Sequence, residues 1–440
     1  MKPRIILLGL LSILMSFSCT TPSENTSAKV EVKQNKKGHH RLFVNNEEFY
    51  VKGAGLEFGN IELLAKHGAN SFRTWRTENG RQSGQEVLDK AHENGLYVLM
   101  GLEIGRERHG FDYNDPVWVE EQKEYIRKEV LKYKDHPALL AWGIGNELNL
   151  EASNMKVWNA VNDISKMIHQ IDPNHPTTTM LAGISKKEVD YMDEHCPDLD
   201  FISIQMYGDI VNLQERIKDA GYEGPYLVTE WGATGHWEVP RTDWDVAIEQ
   251  TSQEKAEAFI ERYKKAILSD EKNCMGSYVF LWGQKQERTP TWYGMFLENG
   301  HRTETVDAMH YLWNGEWPED RAPTIDSLKL NESDAYQNIR LDPGEEYTAK
   351  AWARSFDTAN INYTWEIMPE SNDLKMGGDF ENRPETITKL NSNPVSFETP
   401  AKPGAYRLFV YITDENGNAA TGNIPFKVEQ DAVSENYTSE

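Results

Sequence analysis

The feature that most constrains this fold is an alternation, repeated eight times between Phe49 and Trp313, of short apolar runs with stretches whose apolar residues recur at helical spacing. Strands are predicted at Phe49–Ala54, Asn70–Trp75, Leu96–Ile104, Ala138–Ile144, Thr177–Ala182, Phe201–Tyr207, Tyr226–Glu230 and Ser277–Trp282. Strands that are apolar on both faces and separated by helices belong to a covered parallel sheet. Eight strand and helix units close such a sheet into a (β/α)₈ barrel, so the expected class is α/β.

Local chemistry specifies several elements. Asp115 can cap the third helix, Pro116 fits its first turn, and Val119, Ile126, Val130 and Tyr133 mark one face before Asp135-His136-Pro137 stops it. Gly95 ends the second helix in a left-handed cap, and Thr251 with Glu254 has capping-box spacing for the seventh. Val30–Val32 and Arg41–Val44, with Asn45-Asn46 as a turn, predict a hairpin plugging the barrel floor.

The barrel domain is expected over residues 29–318, ahead of the charged, proline-bounded linker Pro318–Pro323. Beyond it the apolar period becomes two, at Tyr347 to Ala353, Ile361 to Ile367 and Tyr406 to Ile412, with turns at Asp342-Pro343-Gly344, Lys402-Pro403-Gly404 and Asn416-Gly417. This predicts an all-β, immunoglobulin-like sandwich over residues 323–430, then a disordered tail at 431–440. The sandwich has no cysteine, so its core alone must hold it, and a structural spacer is the expected role.

At the other end, Lys2 and Arg4 precede an apolar stretch, Ile5 to Met15, shorter than the ~20 residues that cross a bilayer. Residues 1–19 therefore read as an export signal. Ser16-Phe17-Ser18-Cys19 resembles a relaxed bacterial lipobox, which implies acylation of Cys19 and a lipoprotein at the outer membrane or cell surface, or in the periplasm, with residues 20–28 as a tether. Cys196 and Cys274 are expected as free buried thiols, because a strand separates them and bridged Cα atoms approach within ~7 Å. No Cys and His spacing suits zinc, and no metal or cofactor is expected. The net charge of −24, from 46 basic and 70 acidic residues, repels phosphate backbones and excludes nucleic acid as a partner. Membrane contact is expected only through the lipid, and no obligate protein partner is evident.

Chemistry is concentrated at two strand ends. Asn146-Glu147 closes the run Ala138 to Ile144, and Glu230 closes Pro225 to Thr229, each at the carboxyl end where a parallel barrel keeps its site. Two carboxylates facing one cleft suggest glycoside hydrolysis, which needs a proton donor for the leaving oxygen and a group that attacks or stabilises the anomeric carbon. Glu147 fits the acid and then the base, its pKa raised by burial and by the charge of Glu230. Glu230 fits the nucleophile, kept ionised by a cation such as Arg73, and Asn146 can donate to the sugar 2-hydroxyl. Aromatic residues reach 11%, with 13 tryptophans. Trp75, Trp231, Trp237 and Trp292 follow strands and are candidates for stacking on sugar rings. Arg106, Arg108, His109 and Asp112 either bind sugar hydroxyls or form a solvated loop.

Taken together, Trp142-Gly143-Ile144-Gly145-Asn146-Glu147, Thr229-Glu230-Trp231-Gly232, Arg73 on strand two, Tyr207 on strand six and Trp282 on strand eight resemble the clan A glycoside hydrolases. The catalytic barrels of family 2 are the nearest, over about Val30 to Trp317. The resemblance implies retention of configuration, Glu147 as acid/base and Glu230 as nucleophile. It also implies Asn146 and Arg73 as substrate and nucleophile partners, Tyr207 as donor to Glu230, and Trp282 as the floor beneath the cleaved sugar. One departure is Arg73-Thr74-Trp75-Arg76, which replaces the family's arginine, histidine, tyrosine, proline pattern. A barrel followed by an immunoglobulin-like domain on a lipoprotein is similar to some bacterial endo-β-1,3-glucanases, so a β-glucan is the expected substrate. A transglycosylase or an exo-acting β-glycosidase would use the same residues. A glycan-binding surface lipoprotein without catalysis is the alternative of another class, against which the joint presence of an acid and a nucleophile argues.

Overall fold

The computed structural model describes residues 27–356 and 360–429. Cys19, the stretch read as an export signal, most of the tether and the tail lie outside them. The eight barrel strands are Val51–Gly55, Ser71–Arg73, Tyr97–Leu102, Leu139–Asn146, Thr177–Ala182, Phe201–Gln205, Tyr226–Glu230 and Cys274–Val279. They form one closed ring in chain order, each parallel to its neighbours. All eight carboxyl ends therefore emerge on one face.

Strand ends shift by one or two residues in the second, third, fourth and sixth strands, and two further differences from the sequence expectation bear on the architecture. Glu47–Phe49 does not begin the first barrel strand but pairs antiparallel with His40–Val44, which pairs with Val30–Gln34 in a three-stranded sheet. The eighth strand runs Cys274–Val279 rather than to Trp282. Its start was masked by the charged turn before it, yet Cys274 and Met275 are wholly buried. Leu42 and Val44 of the antiparallel sheet share a core with Leu99, Leu140, Met180, Leu227 and Met275 from inside the barrel, so the amino-terminal end is sealed by apolar side chains. Cys196 and Cys274 are both buried and free.

The helices wrap the ring as their caps dictate. Asp115 accepts from the backbone of Val117 at 2.8 Å and Trp118 at 3.3 Å, opening the helix Pro116–Tyr133. Thr251 and Glu254 form a reciprocal capping box at the start of Ser252–Arg262, and Ser83 with Glu86 forms another ahead of Gly84–Glu93. Among the described residues no helix is long and apolar enough to cross a membrane.

Beyond the barrel lie two sheets. Thr324–Leu330, Glu346–Arg354 and Val395–Glu398 form one, and Asn362–Pro369, Gly404–Thr413 and Asn418–Val428 are the long strands of the other. Their inner faces meet in a single core that includes Leu330, Ala351, Trp365, Phe397, Val410 and Phe426. The division from the barrel is not clean. Arg302–Thr303, just before the last barrel helix Glu304–Asn314, pairs parallel with Asn418-Ala419 and extends the larger sheet.

A buried polar network joins the two units. Glu249 accepts from Lys255 Nζ at 2.5 Å, from Thr289 Oγ1 at 2.6 Å and from Asn423 Nδ2 at 2.7 Å. Arg407 of the sheet unit donates to Asn423 at 2.7 Å and to the carbonyl of Ala247 at 2.8 Å. Burial alone would raise the Glu249 carboxyl, but Lys255 and Arg407 outweigh it and hold the pKa below its ordinary value. Breaking one side of such a pair leaves a charge in a dry interior. Lys255→Met is accordingly expected to cost about 3 to 5 kcal/mol, read as a lowered denaturant midpoint, and a loss below ~1 kcal/mol would contradict this account of the interface.

Candidate active site

The site is assembled where the barrel strands end. Arg73, the last residue of the second strand, is completely buried and spans the centre of the ring. Its Nη1 donates to Glu230 Oε1 at 3.2 Å and to the carbonyl of Thr229 at 3.2 Å, and its Nη2 donates to Asn146 Oδ1 at 2.7 Å. One guanidinium thus ties the end of the fourth strand to the end of the seventh.

Glu230 is held by four donors. Oε1 accepts from Arg73, from Trp75 Nε1 at 2.9 Å and from Gln205 Nε2 at 3.0 Å, while Oε2 accepts from the Tyr207 hydroxyl at 2.8 Å. Burial and the charge of Glu230 push the Tyr207 pKa far upward, so the phenol stays a donor. Gln205 Nε2 also donates to Asn146 Oδ1 at 2.8 Å. With Oδ1 accepting from Arg73 and Gln205, the Asn146 amide has its NH₂ turned to the other side.

Glu147 is held by its backbone rather than its side chain. Gly145 has φ +73° and Glu147 φ +51°, a left-handed turn that lifts the carboxylate out of the strand direction. A Cβ on residue 145 would lie 2.6 Å from Leu148, so glycine is required there. The unusual φ of Glu147 costs about 1 to 3 kcal/mol, which the surrounding contacts must offset. Two such contacts are its amide, donating to Met180 at 3.0 Å, and its carbonyl, accepting from Arg108 Nη1 at 3.1 Å. The pKa of its carboxyl is pushed up to about 7, first by burial and then by the charge of Glu230.

Both glutamates line a cleft of about 1660 Å³, larger than the roughly 300 to 1000 Å³ of a typical small-molecule pocket. Asn146, Trp75, Tyr207, Arg106, His109 and Trp237 line it as well. Trp237 is 59% exposed and stands edge-on to Tyr207, as a stacking surface requires. Trp75 plays a different part from the expected platform, since its indole N–H is spent on Glu230 and its ring lies beneath the Arg73 guanidinium.

Three further tryptophans depart from expectation. Trp231 is fully buried against Phe259 and Tyr263 in the helix layer, and Trp292 is buried with its N–H donated to the carbonyl of Thr234 at 2.9 Å. Each follows a strand but turns into the core. Trp282 borders the cleft, yet its ring is wholly buried among His67, Phe296 and Trp313, with its N–H on the carbonyl of Asn60 at 3.0 Å. It braces the wall rather than offering a face. Phe280 packs edge-on to Trp75 and Tyr207 beside the acids. Asp112 caps its own turn through Asn114 and stays out of the cleft. No group of three His, Cys, Asp or Glu among the described residues is placed to hold a metal.

Residues 52–301 match the model of the glycosyl hydrolases family 2 TIM barrel domain. The chain belongs to this family. It is similar to a β-glucuronidase of Paenibacillus borealis, with 21% identity over 277 residues, covering 56% of this chain and 43% of that protein. A β-galactosidase of Lactococcus lactis is 28% identical over 153 residues, covering 32% and 15%. Among solved structures, Bacteroides uniformis β-glucuronidase 2, covalently bound to a cyclophellitol-6-carboxylate aziridine, aligns with TM-score 0.51 and 13% identity over 92% of this chain and 48% of that one. The chain thus spans less than half the length of these relatives.

Gln205 was missed from sequence although it touches both Asn146 and Glu230. Its signal was a second polar residue, after Ser203, at the carboxyl end of the buried strand Phe201–Gln205. The raised Glu147 carboxyl makes a test that needs no substrate. Below its ordinary value of 4.5 the group is protonated whether folded or not; between there and about 7 the folded state retains a proton that the unfolded chain releases, so stability falls with rising pH. Glu147→Gln is expected to melt higher than wild type at about pH 8, with the gap closing toward about pH 4; an equal gap at both would contradict the shift.

Proposed function

We propose that the protein is a retaining β-glycosidase working by double displacement, with Glu230 as nucleophile and Glu147 as acid and then base. The observation that carries this is the contrast between the two carboxylates. Glu230 accepts four hydrogen bonds, one from a buried arginine, which fix its carboxylate in the orientation of a nucleophile. Among the described residues Glu147 accepts no such set of bonds, and its carboxyl is raised to about 7, which suits a proton donor. Arg73 reaches both Glu230 and the residue before Glu147, which supports the shorter carboxyl separation of about 5 to 5.5 Å that retention requires. Asn146 is placed to meet the sugar 2-hydroxyl, and Tyr207 and Trp75 orient the nucleophile.

For the substrate we infer a neutral β-linked poly- or oligosaccharide, with a β-glucan cut internally as the finer reading. Of the cations lining the cleft, Arg76, Arg106, Lys285 and Arg288 are each engaged by an acid and Arg81 stacks over Phe58, which favours uncharged sugars over uronates. The size of the cleft supports a chain, and the glucan rests on the layout of a barrel followed by an immunoglobulin-like unit. Lys2, Arg4, the apolar stretch and Cys19 support export as a lipoprotein, where a polymer too large to enter the cell would be met.

Glu230→Ala is expected to abolish turnover, with azide or formate partly restoring it. Glu147→Ala should lose ~10² to 10⁴ in rate on natural substrates and much less on aryl glycosides with good leaving groups, and equal losses would remove Glu147 from the acid role. Because that acid must hold its proton, activity on poor leaving groups should decline as pH rises through about 7, and Glu147→Gln should lack this limb. Cys19→Ser should move the protein from the membrane to the soluble fraction of the exporting cell, and unchanged membrane association would exclude the lipid anchor.

A further inference from the structure

The connection 370–387 joins two strands of the larger C-terminal sheet, Asn362–Pro369 and Thr388–Leu390. It is longer than the roughly 12 to 15 residues beyond which an irregular loop is usually functional. It does not stay with its own domain. Met376, Gly377, Gly378, Asp379 and Phe380 line the same cleft as Glu147 and Glu230.

This loop is fastened to the barrel along most of its course. Glu381 is buried, and its carboxylate accepts from the Arg288 amide at 2.6 Å, from the Arg288 guanidinium and from the Lys375 amide at 2.9 Å. Asp379 meets His109 at 2.8 Å, and the Gly378 carbonyl accepts from Lys285 Nζ at 2.6 Å. Arg108 donates through Nη2 to the Gly377 carbonyl at 3.4 Å and through Nη1 to the Glu147 carbonyl. Gly377 has φ +57°, and a Cβ there would lie 2.6 Å from that guanidinium, so a side chain would strain the turn and push Arg108 aside.

Against this fixed backbone, four large apolar side chains are left in the open, Leu374, Met376, Phe380 and Ile387, and two of them, Met376 and Phe380, line the cleft. Phe380 is 78% exposed and Met376 51%. Leaving a large apolar side chain in water forgoes about 1.5 to 3 kcal/mol, which covering Phe380 with the apolar face of a ligand would recover in part. Phe58 and Trp237, on the loops after the first and seventh strands, are also exposed along the cleft. Flat apolar rings along a cleft that also carries charged side chains suit the C–H faces of successive sugar rings.

We propose that the C-terminal unit supplies a subsite wall for a neutral glycan chain, with Phe380 as a platform for a sugar beyond the one that is cleaved. The inference rests on the glycosidase reading for its ligand class, but not on turnover for its test. Affinity is measured by calorimetry in a Glu147→Gln background for oligosaccharides of β-glucan, β-mannan and β-galactan, from disaccharide to hexasaccharide. Hydrolysis of the same set and of aryl monoglycosides is measured in the active protein.

Phe380→Ala should weaken binding of the longer oligosaccharides about tenfold and raise their KM alike, while aryl monoglycoside kinetics stay within about twofold. Phe380→Trp should restore long-chain affinity. The exposed position makes either variant safe for folding. Losses independent of chain length, or none, overturn the wall. Binding with the chain-length effect but without hydrolysis would overturn the glycosidase reading and leave the wall standing; neither binding nor hydrolysis would overturn both.

Discussion

One buried cation organises the carboxyl end of the barrel. Arg73 has no exposed surface and meets one carboxylate, one backbone carbonyl and one amide oxygen, contributed by the fourth and seventh strands. Burying a guanidinium is costly, and an ion pair in such a place seldom adds net stability. Its effect is on orientation. Burial lowers the Arg73 pKa and the charge of Glu230 opposes that shift. Gln205, Trp75 and Tyr207 then fill the remaining valences of the carboxylate, and none of them is free to rotate without stranding a partner.

Much of this was legible because barrels write their chemistry in a simple grammar. An apolar run with no polar interruption, ended by Asn146-Glu147 or by Glu230, is a buried strand with a charge at its mouth. Helix starts were equally plain at Asp115 and Thr251, where the capping atoms lie within a few residues of what they cap. What failed were questions of which way a ring turns. Trp231, Trp282 and Trp292 all follow strands as Trp237 does, and only the packing of Phe259, Phe296 or His236 nearby decides between core and cleft. Phe380 was invisible for another reason: it lies far along the chain from the acids, in a domain read as a spacer.

The C-terminal sheets are therefore physically continuous with the half of the molecule that holds the two glutamates. The Glu249, Lys255 and Arg407 network fixes their position with charges, which tolerate less slippage than an apolar contact. Only a partner held in one orientation can keep a loop against the mouth of the barrel, and Arg108 carries that contact within one side chain of the Glu147 backbone.

The pairing of Arg302–Thr303 with Asn418-Ala419 extends this to inheritance. Cutting the gene at the proline-bounded connector would leave each product with a raw sheet margin whose amides and carbonyls seek any other strand. Recombination could not easily trade one half for a foreign module, so the two halves are expected to travel through evolution as a single heritable block.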